Sequence, residues 1–476
     1  MFDKLKKLFG GQAGAWSSYE GASHSTKRRM VPGATPTDNH QELNSSTRTE
    51  LVKASRYVSK NSGVAKEIIA ANQLYSVGEA GIKPKPQGGS DNWKKKALSI
   101  WSDWSRYPTM DGRYSFVEVQ RMVSRLMDED GECFVYKVQG PSGEPRIQLI
   151  ESHRIGSWDT KTDGYIDGIK FDRWGRPTSY CFKADDGKIK HLKAESVLHV
   201  FDPERPSAAR SAPTLAHSSN HLRDAMELLA LEKHAVKMSG DVVHVLNTEN
   251  AASDDGEFMP VASDGDNTDP ASLQRITGGK VVSTQAGESL SSFESNRPNS
   301  TFTGFLDYLD RDTTLGVLPY EFVVDPSKPT GAGVRLVVAK ADRRFQWRSK
   351  LIAYRLIEPL WFFVIGSAIA KGDLTAPKDW HRIKCGTPRR VTVDAGRERR
   401  EDREDVMAGL KNLGDHFEEQ GKDFSEEVEQ RAMELKMIEE IASKYGVDSG
   451  KVLSLLTTPE ESGNTAGDNA NNSKQA

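Results

Sequence analysis

The sequence is poor in cysteine and lacks the motifs of common hydrolases and nucleotide-binding proteins. Its three cysteines, Cys133, Cys181 and Cys385, are far apart and odd in number, which excludes a disulfide framework and a CxxC metal site. No GxSxG motif positions a serine nucleophile. The nearest approach to a phosphate-binding loop, at Gly279 and Lys280, has a valine where the motif needs serine or threonine and lacks a glycine five residues earlier. We therefore expect no ATP-driven motor within this chain.

The best metal-ligand pattern is also incomplete. His217 and His221 lie four residues apart on a predicted helix, and Asp224 follows three residues later, so all three could share one face. No glutamate follows His217, as the HExxH motif of zinc proteases requires. A solvated helix face therefore explains these residues better than a metal site, and we expect no cofactor.

The chain has little net charge. It contains 65 lysines and arginines against 68 aspartates and glutamates, a formal charge of −3. Such a balance excludes strong overall attraction to nucleic acid but allows DNA to pass as a weakly held cargo. Arg343, Arg344, Arg348 and Arg355 lie on one predicted helix. As exposed residues they are expected to form salt bridges within the helix or between subunits, with DNA phosphates as the alternative partner.

No apolar run has the length of a membrane span. The most apolar one, residues 360–370, is about half as long as a span requires. No apolar signal-peptide core follows the basic start of the chain. We expect residues 360–370 to be a buried helix of a soluble protein.

Periodicity predicts a mixture of helices and antiparallel strands. A chain of 476 residues with 36% hydrophobic residues can form two or three domains. Apolar residues recur at helical spacing in residues 44–74, 94–107, 115–130, 213–240 and 334–371. Short β-type runs separated by Gly, Pro and Asp turns predict an antiparallel meander over residues 133–138, 147–150, 166–171, 178–183 and 197–200. The lack of strand–helix alternation argues against a doubly wound nucleotide-binding fold.

Beyond residue 240 a small module precedes further helices. We expect strands at residues 241–246 and 280–283 around a polar, flexible insertion at residues 247–274. Residues 380–393 are predicted to be extended. Residues 406–445 are predicted to be helical and acidic, since residues 397–440 hold 15 acidic against 8 basic side chains. The polar ends of the chain have the composition of poorly ordered segments.

The most informative segment joins two helical patterns near the middle of the chain. Phe302, Phe305, Leu306 and Leu309 recur at helical spacing before it, and residues 334–371 continue the pattern after it. Between them lies the sequence GVLPYEF, followed by a proline-punctuated loop over residues 319–333. This helix–GVLPYEF–loop–helix arrangement resembles the portal proteins of tailed bacteriophages, in the lambda-type family.

Further segments support the resemblance in the family's order. Residues 199–206 and 210–213 resemble its strand-to-helix transition, residues 299–322 its second stem helix, and residues 391–433 its C-terminal helical region. The family has glycines where Ser207 and Ser211 stand here, so the turn is expected to differ in detail. After the loop, residues 331–335 keep the arginine but lose the hydroxyls of the family's Tyr-Ser-Ser-x-Arg stretch.

The resemblance implies an α+β portal fold with a helical stem, an antiparallel β-rich wing, a small α/β clip and a helical crown, assembled as a ring oligomer of twelve copies. The implied divisions of the chain are a flexible N-terminal arm (1–44), the wing (45–212), a stem helix (213–239), the clip with its insertion (240–297), a second stem helix (298–316), the channel loop (317–333), a long helix with the wing return (334–389), the crown (390–456) and a disordered tail (457–476).

The implied function is that of a passive head–tail connector at one capsid vertex of the virion, assembled in the host cytoplasm. Its partners would be further copies of itself, the terminase large subunit, and capsid and head–tail completion proteins. Double-stranded DNA would be a non-specific cargo, and no membrane and no catalytic residue would be involved. The implied site residues are, in the channel loop, Pro319, Tyr320, Glu321, Phe322, Val323, Lys328 and Arg335 and, for motor docking in the clip, Arg275, Lys280 and Arg297.

Within the channel loop, prolines restrict the backbone, and Gly331 and Gly333 are expected to act as a hinge. Tyr320, Phe322, Val323 and Lys328 are the candidates for the surface that DNA meets. Two other functions remain open: a soluble α+β enzyme, disfavoured because no acid–base, nucleophile or metal set emerges, and a head–tail adaptor, for which 476 residues is long.

Overall fold

The described chain begins with paired helices. The structure is a computed structural model and describes residues 37–158, 164–241, 244–248, 288–292, 300–327, 329–391, 395–419, 424–448 and 450. Helices α1 (Asn39–Glu42), α2 (Ser45–Asn61) and α3 (Gly63–Val77) come first. A single helix was predicted over residues 44–74, but the chain breaks at Ser62, whose backbone is extended and whose hydroxyl accepts a hydrogen bond from the Ala65 N–H at 3.4 Å. This serine cap starts a new helix without disturbing the apolar periodicity.

Two amphipathic helices confirm their predictions. Helix α4 (Asp91–Arg106) follows the short strand β1 (Pro84–Pro86), and α5 (Phe116–Glu129) follows α4. Helix α5 starts with a capping box, in which the Ser115 N–H donates to the Glu118 carboxylate at 2.7 Å. The buried side of α5 carries Phe116, Val119 and Val123, which join the largest core of the protein.

The strands confirm an antiparallel β region but divide into two sheets. Their bounds are β2 (Glu132–Gln139), β3 (Pro145–Glu151), β4 (Tyr165–Ile166), β5 (Ile169–Phe171), β6 (Pro177–Lys183), β7 (Ile189–Lys193) and β8 (Val197–Phe201). One sheet has the order β3-β2-β8 and the other β4-β5-β6-β7. The predicted single meander is therefore wrong, because β8 returns to pair with β2, with Val135 opposite Leu198. Phe134, Ile150, Tyr180 and Phe182 form a core between the sheets.

Two long helices and a pair of strands form the middle of the chain. Helix α6 (Ser219–Asp241) starts six residues later than predicted, because turns occupy residues 214–218. Strands β9 (His244–Thr248) and β10 (Glu288–Ser292) pair antiparallel, and α7 (Ser300–Thr314) follows. The predicted strand at residues 280–283 and nearly all of the predicted insertion lie outside the described residues. β9 and β10 join the end of α6 to the start of α7, and His221 at the start of α6 pairs with Asp312 near the end of α7 at 2.9 Å. The two helices are therefore antiparallel neighbours.

One long helical stretch runs behind these elements. After the single turn α8 (Tyr320–Val323) come α9 (Gly331–Ile352), a π-helical turn (Ala353–Ile357) and α10 (Glu358–Lys371). Gly331–Lys371 spans 41 residues and is long and apolar enough to cross a membrane by length and composition, with half of its most apolar window buried in the protein. Leu360, Trp361 and Ile365 of α10 are buried in the largest core, which confirms the predicted buried helix and accounts for the apolar composition.

The described chain ends with a strand and three helices. Strand β11 (Ile383–Cys385) pairs antiparallel with β1, and it is the paired part of the stretch predicted to be extended. The predicted helical region over residues 406–445 contains α12 (Leu413–Glu419) and α13 (Phe424–Tyr445), whereas α11 (Ala395–Met407) lies before it except for its last two residues. Gly409, at a φ of +73°, ends the first of these in a conformation that other residues rarely adopt. Helices and antiparallel sheets thus make up the described fold, as the α+β prediction requires.

Candidate functional site

The segment predicted to be the channel loop begins with a sharp turn. We call residues 315–330, between α7 and α9, the loop segment; it contains the predicted channel loop (317–333) up to the start of α9. Helix α7 ends at Thr314, and Gly316 then adopts a φ of +89°, which disfavours any side chain there. The Gly316 carbonyl accepts a hydrogen bond from the Arg344 guanidinium, so the turn is held against α9.

Tyr320 is buried inside the subunit. Its side chain is 4% exposed, and the Arg311 guanidinium lies over its ring, 4.8 Å from the ring centroid. The Tyr320 hydroxyl donates a hydrogen bond to the Asp307 carboxylate at 3.4 Å. The prediction that Tyr320 belongs to an exposed, DNA-facing surface is therefore wrong for this subunit conformation. The helical turn α8, which periodicity did not predict, directs the ring inward.

Phe322 anchors the loop segment to two helices. Its ring lies 5.7 Å from that of Tyr75 on α3 and 5.7 Å from that of Phe345 on α9, and the Tyr75 and Phe345 rings are 5.0 Å apart. Each such aromatic pair contributes roughly 0.5–1.5 kcal/mol beyond burial of its area. Phe322 is half-buried, so we assign it an anchoring role; Pro319, Glu321 and Val323 are also half-buried.

Apart from Leu315 and Gly316 at its start, the exposed residues of the loop segment lie after α8. Val324, Pro326, Ser327 and Thr330 are exposed, and the Asp325 carboxylate accepts the Ser327 N–H at 3.0 Å in a local turn. Lys328, the predicted phosphate contact, lies outside the described residues. The surface that this segment offers to a passing molecule is therefore its second half.

The predicted glycine hinge has become the start of a helix. Gly331 and Gly333 lie in the first turn of α9, and the Gly333 N–H donates to the Thr330 carbonyl at 2.6 Å. The expectation of a free hinge at these glycines is wrong, since helical hydrogen bonds hold them. Arg335 is exposed on the same helix, one turn behind the loop segment.

A buried carboxylate behind the loop segment ties four parts of the chain together. The Asp128 side chain of α5 is fully buried and forms an ion pair with Arg348 of α9 at 2.8 Å. Thr214, in the turn before α6, donates its hydroxyl to the same carboxylate at 2.7 Å, and its backbone N–H donates to the Asp128 carbonyl at 3.0 Å. Asn72 of α3 completes the set at 3.2 Å. We call these four residues the Asp128 junction.

The electrostatics of the Asp128 junction combine opposing effects. Burial raises the pKa of the Asp128 carboxyl, while the Arg348 charge and the hydrogen bonds from Thr214 and Asn72 oppose that rise. Removing any one of these partners would leave a buried charge less compensated. The junction therefore fixes α9 and the start of α6 relative to α3 and α5.

A second buried cluster fixes the two sheets to each other. The Arg210 side chain is 1% exposed and pairs with Glu132 at 2.5 Å, and it also donates to the Ile155 carbonyl at 3.1 Å. His199 lies 2.8 Å from the other Glu132 oxygen. Burial alone would raise the pKa of Glu132, but the Arg210 and His199 charges and hydrogen bonds hold it well below its usual range. Glu132 and His199 are buried between the sheets, so we assign them a structural role.

Ser207 and Ser211, which flank Arg210, stand where the resembled family has glycines. Neither Ser207 nor Ser211 has a positive φ, since Asp167 is the one non-glycine residue with such a value in the described part of the chain. The Ser207 hydroxyl accepts the Asn39 N–H at 2.9 Å. The turn around these serines therefore uses no left-handed backbone at either position. This agrees with the expectation that serines in place of glycines would change the turn in detail.

Of the four arginines predicted to be exposed on one helix, Arg343, Arg344 and Arg348 lie on α9 and Arg355 lies in the π-helical turn after it, and their surroundings differ. Arg348 points inward to Asp128, which corrects its predicted exposure, and Arg344 binds the Gly316 carbonyl. Arg355 lies over the Phe201 ring at 4.4 Å. Arg343 is exposed. This helix therefore has a basic outer face and an inward arginine.

The other predicted sites take ordinary structural positions. Of the histidine pair, His221 pairs with Asp312, and no cluster of three potential ligands is found among the residues that the structure describes. Cys133 and Cys181 are buried and unbridged, and burial raises the pKa of the Cys385 thiol to about 12. The predicted motor-docking residues Arg275, Lys280 and Arg297 lie outside the described residues.

The sequence contained a signal for the Asp128 junction that periodicity alone missed. Gln120, Ser124 and Asp128 follow one another at intervals of four on the buried face of α5. A carboxylate at that position has to be buried and needs a cation from elsewhere. Its partner Arg348 lies 220 residues away, so the pairing could not be read from local sequence.

Comparison with known proteins identifies the family. Residues 26–348, more than half of the chain, match the sequence profile described as phage portal protein, lambda family. No curated protein matches.

Solved structures give more distant likenesses. The neck of a native gene transfer agent particle computed with C12 symmetry has a TM-score of 0.46 at 14% identity, covering 78% of this chain and 91% of that chain. The virion of the native particle gives a TM-score of 0.45 at 14% identity, with 77% and 89% covered. An HK97 family phage portal protein from Corynebacterium diphtheriae gives 0.29 at 12% identity, with 61% and 89% covered. At these TM-scores the likenesses support no functional conclusion. The profile match, over more than half of the sequence, shows that this chain belongs to the lambda family of phage portal proteins.

Proposed function

We propose that this chain assembles into a ring, of twelve copies as the family resemblance implies, at one vertex of a virus capsid. Double-stranded DNA would enter and leave the capsid through the ring, driven by an ATPase on another chain. The observation that carries this proposal is the family match over residues 26–348. Portal proteins are structural proteins, so the function depends on the geometry of the assembly.

The described fold fits the proposed divisions of the chain. Antiparallel helices α6 and α7, joined by β9 and β10, suit the two stem helices and the base of the clip. The two β-sheets fall within the proposed wing, and α11, α12 and α13 within the proposed crown. We propose that the clip docks the terminase large subunit and that the other faces meet capsid and head–tail completion proteins.

The loop segment is the proposed channel element, but its first half is mostly packed against the subunit, so only part of it would face DNA. Tyr320 and Phe322 hold it to the subunit, while Val324, Pro326, Ser327 and Thr330 are exposed after α8. A segment anchored in this way would move with α9. DNA sliding past it would meet few fixed charges. This suits a passive channel, since each phosphate contact would add a salt-dependent hold on the duplex.

Assembly in a cell tests this proposal. In a phage whose copy of this coding sequence is interrupted, heads should form without packaged DNA, and the wild-type chain supplied in trans should restore packaging. A K96E variant, altered at an exposed lysine of α4, is the control and should restore packaging as well. Normal packaging without any functional copy of the chain would refute the proposed function.

A further inference from the structure

The outer face of α9 carries a continuous exposed stripe. Leu336, Lys340, Arg343, Trp347 and Lys350 are exposed and follow one another at intervals of four, three, four and three residues. Side chains at this spacing share one helix face and form the seam typical of a partner helix. We call this face, with the neighbouring exposed Arg335, Arg344 and Tyr354, the basic stripe.

The basic stripe combines mainly basic residues with large apolar groups, and the Trp347 indole N–H donates to the Asp202 carboxylate of the same subunit at 3.3 Å. Helix α9 contains six basic residues and one aspartate. The Trp347 and Tyr354 rings are 61% and 68% exposed. Arg335, Lys340, Arg343 and Lys350 form no ion pair with any residue that the structure describes. Uncompensated cations beside exposed aromatics are typical of a surface that is covered in an assembly.

A complementary face lies on α7 and the turn after it. Thr301, Phe305, Tyr308, Asp312 and Leu315 are also spaced by four, three, four and three residues. Tyr308 and Leu315 are 63% and 59% exposed. We call this face, with the neighbouring Asp307 and Asp310, the acidic seam.

The charge of this second face is opposite to that of the first. Residues 300–315, which include the whole face, hold three aspartates and one arginine. Burial raises the pKa of the half-buried Asp310, and the nearby Asp307 charge adds to the rise, so negative charge is concentrated here.

We propose that the basic stripe of one copy packs along the acidic seam of the neighbouring copy in the ring. This inference rests on the proposed function and names the surface through which the ring closes. Rings need two different faces on each subunit, because every copy meets one neighbour with each face. The stripe and the seam have matching seam spacing and opposite charge, and both expose apolar side chains.

The apolar members of the stripe favour a protein partner over DNA. The phosphate backbone of a duplex offers charge to Lys340 and Arg343 but no apolar surface to Leu336 or Trp347. The acidic seam of a neighbouring copy offers both negative charge and the exposed apolar side chains of Phe305, Tyr308 and Leu315. DNA is the competing partner, and the experiment below separates the two.

Charge reversal tests the pairing on the full-length chain. The K340E/R343E variant alters two exposed residues, so its circular dichroism and thermal unfolding should match those of the wild type. Association of neighbouring copies should weaken on the order of a hundredfold, because like charges would then face each other. Sedimentation velocity should show subunits where the wild type shows rings. The control K60E/K96E reverses two exposed lysines on α2 and α4 and should assemble as the wild type does.

Mixing and recombining variants makes the test specific. D307K/D312K reverses the seam and should also fail to form rings. It removes the Asp312 pair with His221 and the Asp307 acceptor of the Tyr320 hydroxyl as well, so its circular dichroism is compared with that of the wild type in the same way. In a mixture of D307K/D312K with K340E/R343E, the stripe of each variant meets an oppositely charged seam on the other, so the two should co-assemble into rings of alternating subunits although neither forms rings alone. The chain carrying all four substitutions, in which both charges are exchanged, should regain rings.

The outcomes separate this inference from the proposed function. A folded wild-type chain that forms no ring refutes both. Wild-type rings together with normal rings of K340E/R343E refute the inference alone; if such rings retain less DNA in heads, the stripe binds phosphates instead. A K340E/R343E chain that has lost its circular dichroism would show that the stripe is part of the fold, which also refutes the inference. Rings lost in both double variants and regained in the fourfold variant establish the pairing.

Discussion

Replacing Arg348 should destabilise the subunit strongly, because the substitution isolates a buried charge. The Asp128 side chain is fully buried and the Arg348 side chain is 15% exposed, at a separation of 2.8 Å. Removing one partner of a buried ion pair costs about 3–5 kcal/mol. The hydrogen bonds from Thr214 and Asn72 to Asp128 remain, so we expect R348M, which keeps the apolar stem, to lose about 3 kcal/mol of unfolding free energy.

A second substitution should recover part of this loss. In D128N/R348M the buried position carries no charge, and the asparagine oxygen can still accept the Thr214 hydroxyl. We therefore expect the double variant to be more stable than R348M, by an interaction energy of about 1–3 kcal/mol. Urea unfolding of all variants at one protein concentration keeps any effect of assembly constant. The control R106A removes an exposed arginine of α4 and should change stability by less than about 0.5 kcal/mol.

The pH dependence of the unfolding free energy tests independently whether the loss in R348M comes from the buried Asp128 charge. Burial raises the pKa of Asp128 above its ordinary value of 3.8, and loss of the Arg348 charge should raise it further. The folded state then holds a proton at pH values where the unfolded state has lost it, so stability falls as pH rises through that window. The deficit of R348M should therefore shrink as the pH is lowered toward the raised pKa of Asp128, whereas D128N/R348M should show no such recovery. An R348M chain as stable as R106A, or a deficit that grows toward acid pH, would refute this account of the junction.

Three further predictions concern the loop segment and the stem. Y320A should lose about 3–5 kcal/mol, since it empties a buried aromatic position, while S327A at an exposed position should lose less than about 0.5 kcal/mol; equal losses in urea unfolding would contradict the inward placement of Tyr320. L306D, which places a charge on a half-buried position of α7, should give subunits instead of rings in sedimentation, and unchanged rings would count against α7 as a stem helix. Deleting residues 325–328 should spare ring assembly but reduce the DNA retained in heads; normal retention would show that this segment is not the channel element.

Much of the architecture follows from local patterns. The helices α4 and α5 could be predicted because apolar residues recur at helical spacing in both, Trp101 and Trp104 in α4 and Phe116 and Val119 in α5, and because Ser115 with Glu118 forms a capping box. The strands followed from β-type runs between turn residues. The break at Ser62 was missed because a cap changes the backbone without changing the apolar pattern.

The position of the loop segment could be predicted from the sequence, but the orientation of its side chains could not. Prolines and a short apolar motif marked the loop segment, yet the inward position of Tyr320 depends on Arg311, Asp307 and the cores beneath α8. The glycines at 331 and 333 suggested freedom, but helical hydrogen bonds occupy them. The contacts of Tyr320 come from the preceding helix α7, and the glycine bonds belong to the first turn of α9; the proline and glycine pattern of the loop indicates neither.

The pairing of Asp128 with Arg348 illustrates the same limit for charged residues. An arginine on a helix in a chain of 28% charged residues is ordinarily exposed, so prediction placed Arg348 outside. A carboxylate on the buried face of α5 reverses that preference, because a buried charge needs a partner. Family membership, by contrast, follows from the order of many weak motifs, and the profile match confirms it.

Imaging of the purified wild-type chain tests the central claim most directly. Negative-stain microscopy together with native mass measurement should show rings with a central hole and a mass that is a whole multiple of the subunit mass, twelve times it if the implied copy number holds. A folded chain that remains a monomer or a compact dimer at micromolar concentration would contradict the proposed ring and favour one of the other functions.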